Sequence, residues 1–505
     1  MKKFLKSAIL ILLVMTFLFS LAACSADSKE ENKAADTNET ADSEAKVIKL
    51  SSDCAEIDGE KVEEFDYTWH CDPSVSHGEV ENAPAEYYTG TKPETDAAAY
   101  IDHELYYFPE LPEDGFKTVN YDGETEWAYY YTDGEHDDFI FATLPKLGAE
   151  FPSQMMHSED EAAENKVLHI TQPGTYVLEG EWQGQVWVDL GDKDDTFTDE
   201  NAKVTLILNG VNINCSVAPG VVFYSAYECD NAWEDSDSHS QDVNTDNAGV
   251  TVVIADGTKN TVDGTNIFRM LKTKYKDEDS NDPVKLQKKM RKLDAAFYSY
   301  VSMNIEGGEE GTGILNVISG FEGLDSELHL SVNGGNIIIN SQDDGINVNE
   351  DNVSVVFFNG GSVTLNPAQG AEGDGVDSNG YVVLNGGTVS VNGVVPPDSA
   401  LDSENGIYYN TGTVIIDGEE QHFNADDVFN ETGMMGGAGE NGNPNAPAKP
   451  DGQPMGGGPA DFDINDFKEK VAALGDDATF EDVMALLGGN MQQPGGQKPE
   501  EVPSR

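Results

Sequence analysis

Apolar and polar positions alternate on a fixed beat through the second half of the chain. Four short runs place aliphatic residues two apart: Ile337 and Ile339, Val363 and Leu365, Val389 and Val391, Val414 and Ile416. Such alternation predicts strands that bury one face. Each run follows a turn signal. Asn333-Gly334-Gly335, Asn359-Gly360-Gly361 and Asn385-Gly386-Gly387 are spaced 26 and 26 apart, with Asn410-Thr411-Gly412 following 25 later and Glu306-Gly307-Gly308 a weaker copy upstream. No helical period lies inside the unit. Self-similarity at one period means stacked units, each too small to bury a core alone. One turn plus short strands is the signature of a β-solenoid, so an all-β chain is expected.

The same reading divides the rest. Earlier, less regular strands are predicted at 167–170, 175–178, 186–188, 204–208 and 250–254, with Asn209-Gly210 and Asp256-Gly257 closing two of them. Acidic insertions at 192–200 and 230–246 interrupt the beat. The repeats are expected to fill 165–428. Residues 47–164 lack the beat and are rich in aromatics, among them Tyr106-Tyr107-Phe108, Trp127 and Tyr129-Tyr130-Tyr131. A hairpin is predicted over 119–141, and the aromatics are read as the core of a small β region rather than a sugar platform. Residues 269–292 are the one basic island. Residues 284–293 have helical character; the island either binds an acidic ligand or neutralises acidic loops of its own chain. A Gly/Pro/Met-rich linker spans 429–460. A small helical hairpin is expected at 461–490, with Asn465 and Thr479 starting its helices, or else a docking motif for an unidentified protein partner; 491–505 reads as a disordered tail.

Charge narrows the function. The chain carries 93 acidic against 29 basic residues, a formal net charge of −64. Nucleic acid is a poor partner for such a surface, because phosphate binding needs clustered Lys and Arg. Self-repulsion at this level makes bound cations a natural partner. The first residues read as an export signal: Lys2, Lys3 and Lys6, an apolar run over 8–18, then Leu21-Ala22-Ala23-Cys24. That tetrad resembles a bacterial lipobox, which implies cleavage after residue 23, lipidation of Cys24 and an anchor on the extracellular face of the plasma membrane; 24–46 reads as a tether. In an exported chain Cys54–Cys71 and Cys215–Cys229 are the local disulfide pairings, with buried free thiols the alternative.

Between strands each repeat presents an acidic turn. The copies are Glu322-Gly323-Leu324-Asp325-Ser326, Asp343-Asp344-Gly345-Ile346-Asn347, Gly373-Asp374-Gly375-Val376-Asp377-Ser378 and Ala400-Leu401-Asp402-Ser403. Stacked strands put equivalent positions about 4.8 Å apart. Like charges so close repel, and a hard cation that takes oxygens from carboxylates, amides and carbonyls resolves the repulsion. Asp325, Asp343, Asp344, Asn347, Asp374, Asp377 and Asp402 are therefore candidate Ca²⁺ ligands. Solvated turn residues are the plainer reading.

Parallel β-helices also host pectate lyases and polygalacturonases. Lyases use a Lys or Arg base with Ca²⁺, yet no Lys or Arg occurs between Lys292 and Lys449, a span with 24 acidic residues. Gln342-Asp343-Asp344 superficially resembles the paired aspartates of polygalacturonases, but that family's Gly-His-Gly and Arg-Ile-Lys are absent. Paired carboxylates alone still suffice for glycoside hydrolysis, so a divergent lyase or hydrolase remains an alternative, as does a structural surface protein. A closer match follows from the run 204–211 (VTLILNGV), the run 253–261 (VIADGTKNT), Gly311-Thr312-Gly313-Ile314-Leu315-Asn316-Val317 and the two acidic turns beginning Asp343 and Gly373. From 167 to about 423 the chain resembles the clostridial calcium-binding carbohydrate-binding β-helix family. The resemblance implies a right-handed parallel β-helix, several bound calcium ions, polygalacturonate or cellulose-like polymers as ligands, and no demonstrated catalysis.

Overall fold

The computed structural model describes residues 45–65, 95–131, 139–230, 240–275, 287–368, 373–424 and 427–435, short interruptions apart. The export signal, Cys24, Cys71, the linker and the 461–490 hairpin lie outside the described residues.

The described chain is nearly all β, and helix is confined to short segments such as Glu159–Ala163, which opens with a Ser158–Glu161 capping box. One 27-stranded, mostly parallel sheet takes in strands from Lys46 to Phe429. Its parallel pairing starts earlier than the sequence beat, because Lys46–Ser52 lies in register beside Tyr176–Trp182.

Three columns of strands organise this sheet. The first runs through Val250–Ile254, Met303–Gly307, Leu330–Val332, Val355–Phe358, Tyr381–Leu384 and Ile407–Tyr409. The second runs through Lys259–Gly264, Ile314–Ser319, Asn336–Ser341, Ser362–Pro367, Thr388–Val391 and Thr413–Ile416. The third holds Val221–Ser225, Ala295–Ser299, Glu322–Ser326, Ile346–Val348 and Val376–Ser378. Each strand pairs in parallel with the one a repeat later, so aliphatic residues meet aliphatic residues. Leu315, Ile337, Val363, Val389 and Val414 form one such line inside the core, joined by Leu330, Val356, Val382 and Ile407 from the first column and by Leu324, Ile346 and Val376 from the third. Burying an aliphatic side chain of this size contributes about 1.5–3 kcal/mol, and the lines repeat at every step.

The Asn-Gly-Gly beat marks the corner between the first and second columns. Gly335, Gly361 and Gly387 have φ of 84°, 72° and 69°, a region a side chain disfavours. At the earlier Asn209-Gly210 the expectation of a strand end is corrected. Gly210 also has positive φ (76°), but Val204–Asn214 continues through it as one strand, with the register slipping there against Gly174–Asp189.

Strands Phe116–Tyr121, Glu124–Tyr131 and Phe139–Pro145 pair as an antiparallel meander, as the 119–141 hairpin reading expects. The basic island corrects a second expectation. Ile267–Tyr275 and Gln287–Leu293 are strands, paired to each other and joined to the meander through Met270 and Ala142 in one five-stranded sheet. The Lys- and Leu-containing run is compatible with a helix in isolation, but an open sheet edge supplies backbone partners that override so weak a preference. The buried aromatics of this region, Tyr107, Phe108 and Phe116, pack with Leu105, Trp187, Val222 and Tyr298, so the region shares a satellite core with the third column.

Cys54, Cys215 and Cys229 are free thiols, so the pairing Cys215–Cys229 is not formed. Cys215 is fully buried against Val217 and Ala218, and burial pushes its thiol up to about 12. Cys229 sits beside the Glu228 carboxylate at 3.5 Å; burial, then that carboxylate, raise its thiol as well.

Candidate functional site

The outward side of the third column is a single row of side chains. Register carries it from His169 through Trp187, Val222, Tyr298, Asp325 and Asn347 to Asp377. Their neighbours Leu168, Val186, Val221, Phe297, Leu324, Ile346 and Val376 point into the core. The row changes chemistry partway. Its first part is aromatic and belongs to the satellite core, with the rings of Trp187 and Tyr224 5.0 Å apart and Tyr100 stacked on His169 at 4.5 Å. Beyond Tyr298 it is acidic. Asp402 extends it, its N–H donating to Val376 O at 2.7 Å.

A second acidic line lies three residues earlier in the same turns. The frame is acid, Gly, aliphatic, then Asp or Asn: Glu322 to Asp325, Asp344 to Asn347, Asp374 to Asp377. The glycines allow the lines to stack. A Cβ on Gly345 would lie 2.6 Å from Gly375 O, and one on Gly375 would lie 2.3 Å from Ala400 O. The two lines are cross-linked. Asn347 Nδ2 donates to Glu322 Oε1 at 2.7 Å and Asn349 Nδ2 to Asp325 Oδ1 at 2.5 Å. Asp374 N–H donates to Asp344 Oδ1 at 2.7 Å. Ser399 N–H donates to Asp374 Oδ1, and Ser403 N–H to Asp402 Oδ1 at 2.7 Å.

These acids lie in a span, between Lys292 and Lys449, that holds no Lys or Arg. Asp325, Asp343, Asp344, Asn347 and Glu322 are all buried; Asp374, Asp377 and Asp402 are half-buried. Burial drives the Asp344 carboxyl well above the usual range, and the carboxylates of Asp343, Asp377, Asp374 and Glu322 add to it. Asp374 is pushed up to about 8 by burial and by Asp377, Asp402 and Asp398, against the opposing Ser399 hydrogen bond. Asp402 is raised by burial. At neutral pH the cluster therefore holds protons or takes up a cation.

The residues present suit a hard cation in kind. Asn347 Oδ1, in the row between Asp325 and Asp377, is buried without a hydrogen-bond partner among the described residues. Both carboxylate oxygens of Asp294, one repeat above, are likewise buried without partners there. Carboxylate, amide and turn carbonyl oxygens are the donor set Ca²⁺ takes. Among the described residues no three carboxylate, imidazole or thiol groups already converge on one point, so an ion here would draw on amide and backbone oxygens too. Of the seven ligand candidates, the structure brings Asp343, Asp374 and Asp377 within electrostatic reach of Asp344, and Asp377 and Asp402 within reach of Asp374, and sets Asp325 and Asn347 in the row of Asp377. Glu322 and Asp398 join the cluster although neither stood among the candidates. Glu322 was detectable, since Glu-Gly there occupies the frame of Asp344-Gly345 and Asp374-Gly375.

Comparison with solved structures finds one described as the polysaccharide lyase-like protein from C. thermocellum, gadolinium derivative. It is 21% identical over 50% of this chain and 86% of that one, with a TM-score of 0.30. A likeness of that extent decides neither fold nor chemistry. No curated protein matches the chain. Residues 164–442, more than half of the sequence and the whole of the three columns, match the family described as carbohydrate-binding domain-containing protein, and the chain belongs to that family.

Proposed function

We propose that the three columns are the faces of a right-handed parallel β-helix and that the chain is a non-catalytic, lipid-anchored surface protein that binds acidic polysaccharide through Ca²⁺. The family supports a carbohydrate-related role. The observation that carries the rest is the pair of acidic lines, Glu322, Asp344, Asp374 and Asp325, Asn347, Asp377, Asp402, stacked repeat on repeat with raised carboxyls. Such a stack favours divalent ions strongly once its protons leave. Asp344, Asp374 and Asp377, with Asn347 Oδ1 and turn carbonyls, would hold the ion. An ion with oxygens to spare shares them with the carboxylates of a uronic acid polymer, which the bare protein would repel. No Lys or Arg between Lys292 and Lys449 offers direct pairing or a β-elimination base beside these acidic lines.

A pull-down on polygalacturonate with and without chelator tests this. Binding should need Ca²⁺ and should weaken in Asp374→Asn and Asp377→Asn variants that remain folded by circular dichroism. Binding that survives chelator sinks the bridging mechanism. The anchor is tested separately: Cys24→Ala should move the protein from the membrane fraction to the medium. Hydrolysis is the second reading, favoured by Asp374 holding its proton to about 8 beside Asp377. New reducing ends released from polygalacturonate, and lost in Asp374→Asn, would replace the binding reading with it.

A further inference from the structure

The outward sides of the three columns are covered unequally. The satellite core packs over the early part of the third. On the first, the segment 240–248 lies over the upper, N-terminal strands: Thr245 Oγ1 meets Ser331 Oγ at 2.7 Å, and Asn304 Nδ2 donates to Thr245 O at 2.8 Å. The outward side of the second column is buried too, without an apolar cluster of described residues over it. Register sets Asn316, Ile338, Thr364 and Ser390 in one row, on the opposite face from the core line Leu315, Ile337, Val363 and Val389. All four are buried, Ile338 to 0% exposure, and so are Ile318 and Asn340 in the adjacent row. Burial fades at both ends of the first row, where Thr261 and Ile415 are half-buried.

An outward isoleucine at 0% exposure needs a second layer against it. Ile318 and Ile338 belong to none of the described apolar clusters. The layer is apolar where it meets the row, because Asn316 Oδ1 and Asn340 Nδ2 are buried without a hydrogen-bond partner among the described residues. From Asn316 to Ser390 it spans three strand spacings, about 14 Å. The strands beneath, Ile314–Ser319, Asn336–Ser341, Ser362–Pro367 and Thr388–Val391, carry no charge.

One stretch of the chain fits this layer. Residues 436–505 continue beyond the last described strand, Met434–Met435, which pairs with Ser399–Leu401 among the final repeats. The sequence spaces Phe467, Val471 and Leu474, then Phe480, Val483 and Leu487, as the apolar faces of two short helices. A helix of about ten residues is about 15 Å long, the length of the covered row. The Gly/Pro-rich run 436–460 has a mean reach of about 28 Å, enough to bring the pair to a neighbouring face, and such tethering favours docking within one chain. Residues 461–490 hold eight acidic and two basic residues, so the acidic lines of the third column repel them and the uncharged second column does not. The stretch 66–94 is tied at both ends to the start of the third column, where Phe65 pairs with Asp102 and Ile101 with Leu168. We infer that the C-terminal helical pair read at 461–490 docks in cis on the outward side of the second column, with its apolar faces over Ile318 and Ile338. The inference is independent of the carbohydrate reading.

Thiol labelling of the full chain with a maleimide, read by peptide mass spectrometry, decides it. Ser390→Cys puts a thiol in the covered row, and Ile415→Cys puts one at its half-buried end. The thiol at 390 should react about tenfold more slowly than the one at 415. Phe467→Asp combined with Leu474→Asp, checked as folded by circular dichroism, should abolish the difference, and Phe467→Leu should keep it. Should the double variant fail to fold, p-benzoylphenylalanine in place of Phe467 gives a second measurement. On irradiation it should crosslink at monomer mass to one of the four second-column strands. Equal labelling at 390 and 415 overturns the docking, as does protection that survives in the folded double variant. A crosslink at dimer mass, a crosslink outside the second column, or no crosslink overturns it equally.

Discussion

The backbone N–H of Asp374 donates to Oδ1 of Asp344 at 2.7 Å, 30 residues along the chain and one step down the third column. The contact fixes two acids of successive repeats against each other, and Asp344 also feels Asp343, Asp377 and Glu322. An arrangement of like charges that the backbone itself holds in place cannot relax by side-chain rotation alone. It is relieved by protons or by a cation.

The proton route sets a pH dependence. A carboxyl whose folded value exceeds its unfolded one binds protons more tightly in the fold. Stability then falls as pH rises from the ordinary value near 3.8 to the folded value of about 8 for Asp374, and no further beyond it. Asp344 and Asp402 act in the same direction. Chelated protein should therefore lose melting temperature steadily between about pH 4 and pH 8. Asp374→Asn, which removes one titrating group, should flatten the slope. A melting temperature that climbs across this window contradicts the buried cluster.

The cation route predicts the opposite trend when Ca²⁺ is supplied. An ion that binds the folded state alone stabilises it by about 2.7 kcal/mol at a hundredfold excess over Kd. Because the ion displaces protons from Asp344 and Asp374, its affinity should rise with pH over the same window. Mg²⁺ sheds water reluctantly and should rescue less. Calorimetric titrations at pH 5 and pH 8 read both points, and equal affinities at the two pH values would exclude Asp374 as a proton-linked ligand.

Much of this site was legible in the sequence because its geometry is a consequence of repetition. The Asn-Gly-Gly beat fixes where each corner falls, and the shared acid, Gly, aliphatic, Asp or Asn frame marks Asp325, Asn347 and Asp377 as equivalent although their spacings differ, so parallel pairing sets them in one row. Where repetition stops, legibility stops. The strands Ile267–Tyr275 and Gln287–Leu293 are paired to a meander far away in sequence, which no local pattern announces. Nor does local pattern reveal that Lys46–Ser52 lies beside Tyr176–Trp182, since that pairing spans more than a hundred residues.

The close stacking of the acidic turns gives a mutational test of the architecture. A methyl added at Gly345 would meet Gly375 O at 2.6 Å and Leu365 Cδ2 at 3.1 Å. Backbone on one side and packed core on the other leave little room to yield. Gly345→Ala should cost about 3 kcal/mol, read by denaturant unfolding. Gly257→Ala is the control for space, since nothing lies within 4 Å of its added Cβ. Its φ of 69° restricts the expected loss to about 1 kcal/mol of backbone strain. Equal losses at the two positions would argue against stacked turns.

His329 offers the last test, on the segment that covers the upper first column. The ring is fully buried. Its Nδ1 accepts the Val355 N–H at 3.1 Å, and its Nε2 lies 3.1 Å from Asp230 Oδ2. An acceptor at Nδ1 assigns the ring proton to Nε2, which then donates to Asp230. One side chain thus joins the strand Val355–Phe358 to the acidic insertion. His329→Ala removes both links and leaves the Val355 N–H buried without its acceptor, an expected cost of about 3 kcal/mol. The Thr245 contacts with Ser331 and Asn304 remain, so the insertion should loosen at its start before its end. Hydrogen exchange should accelerate at Val355 and little at Thr413–Ile416, in another column two steps away. Uniform acceleration across both columns would mean that His329 supports the whole sheet rather than this one attachment.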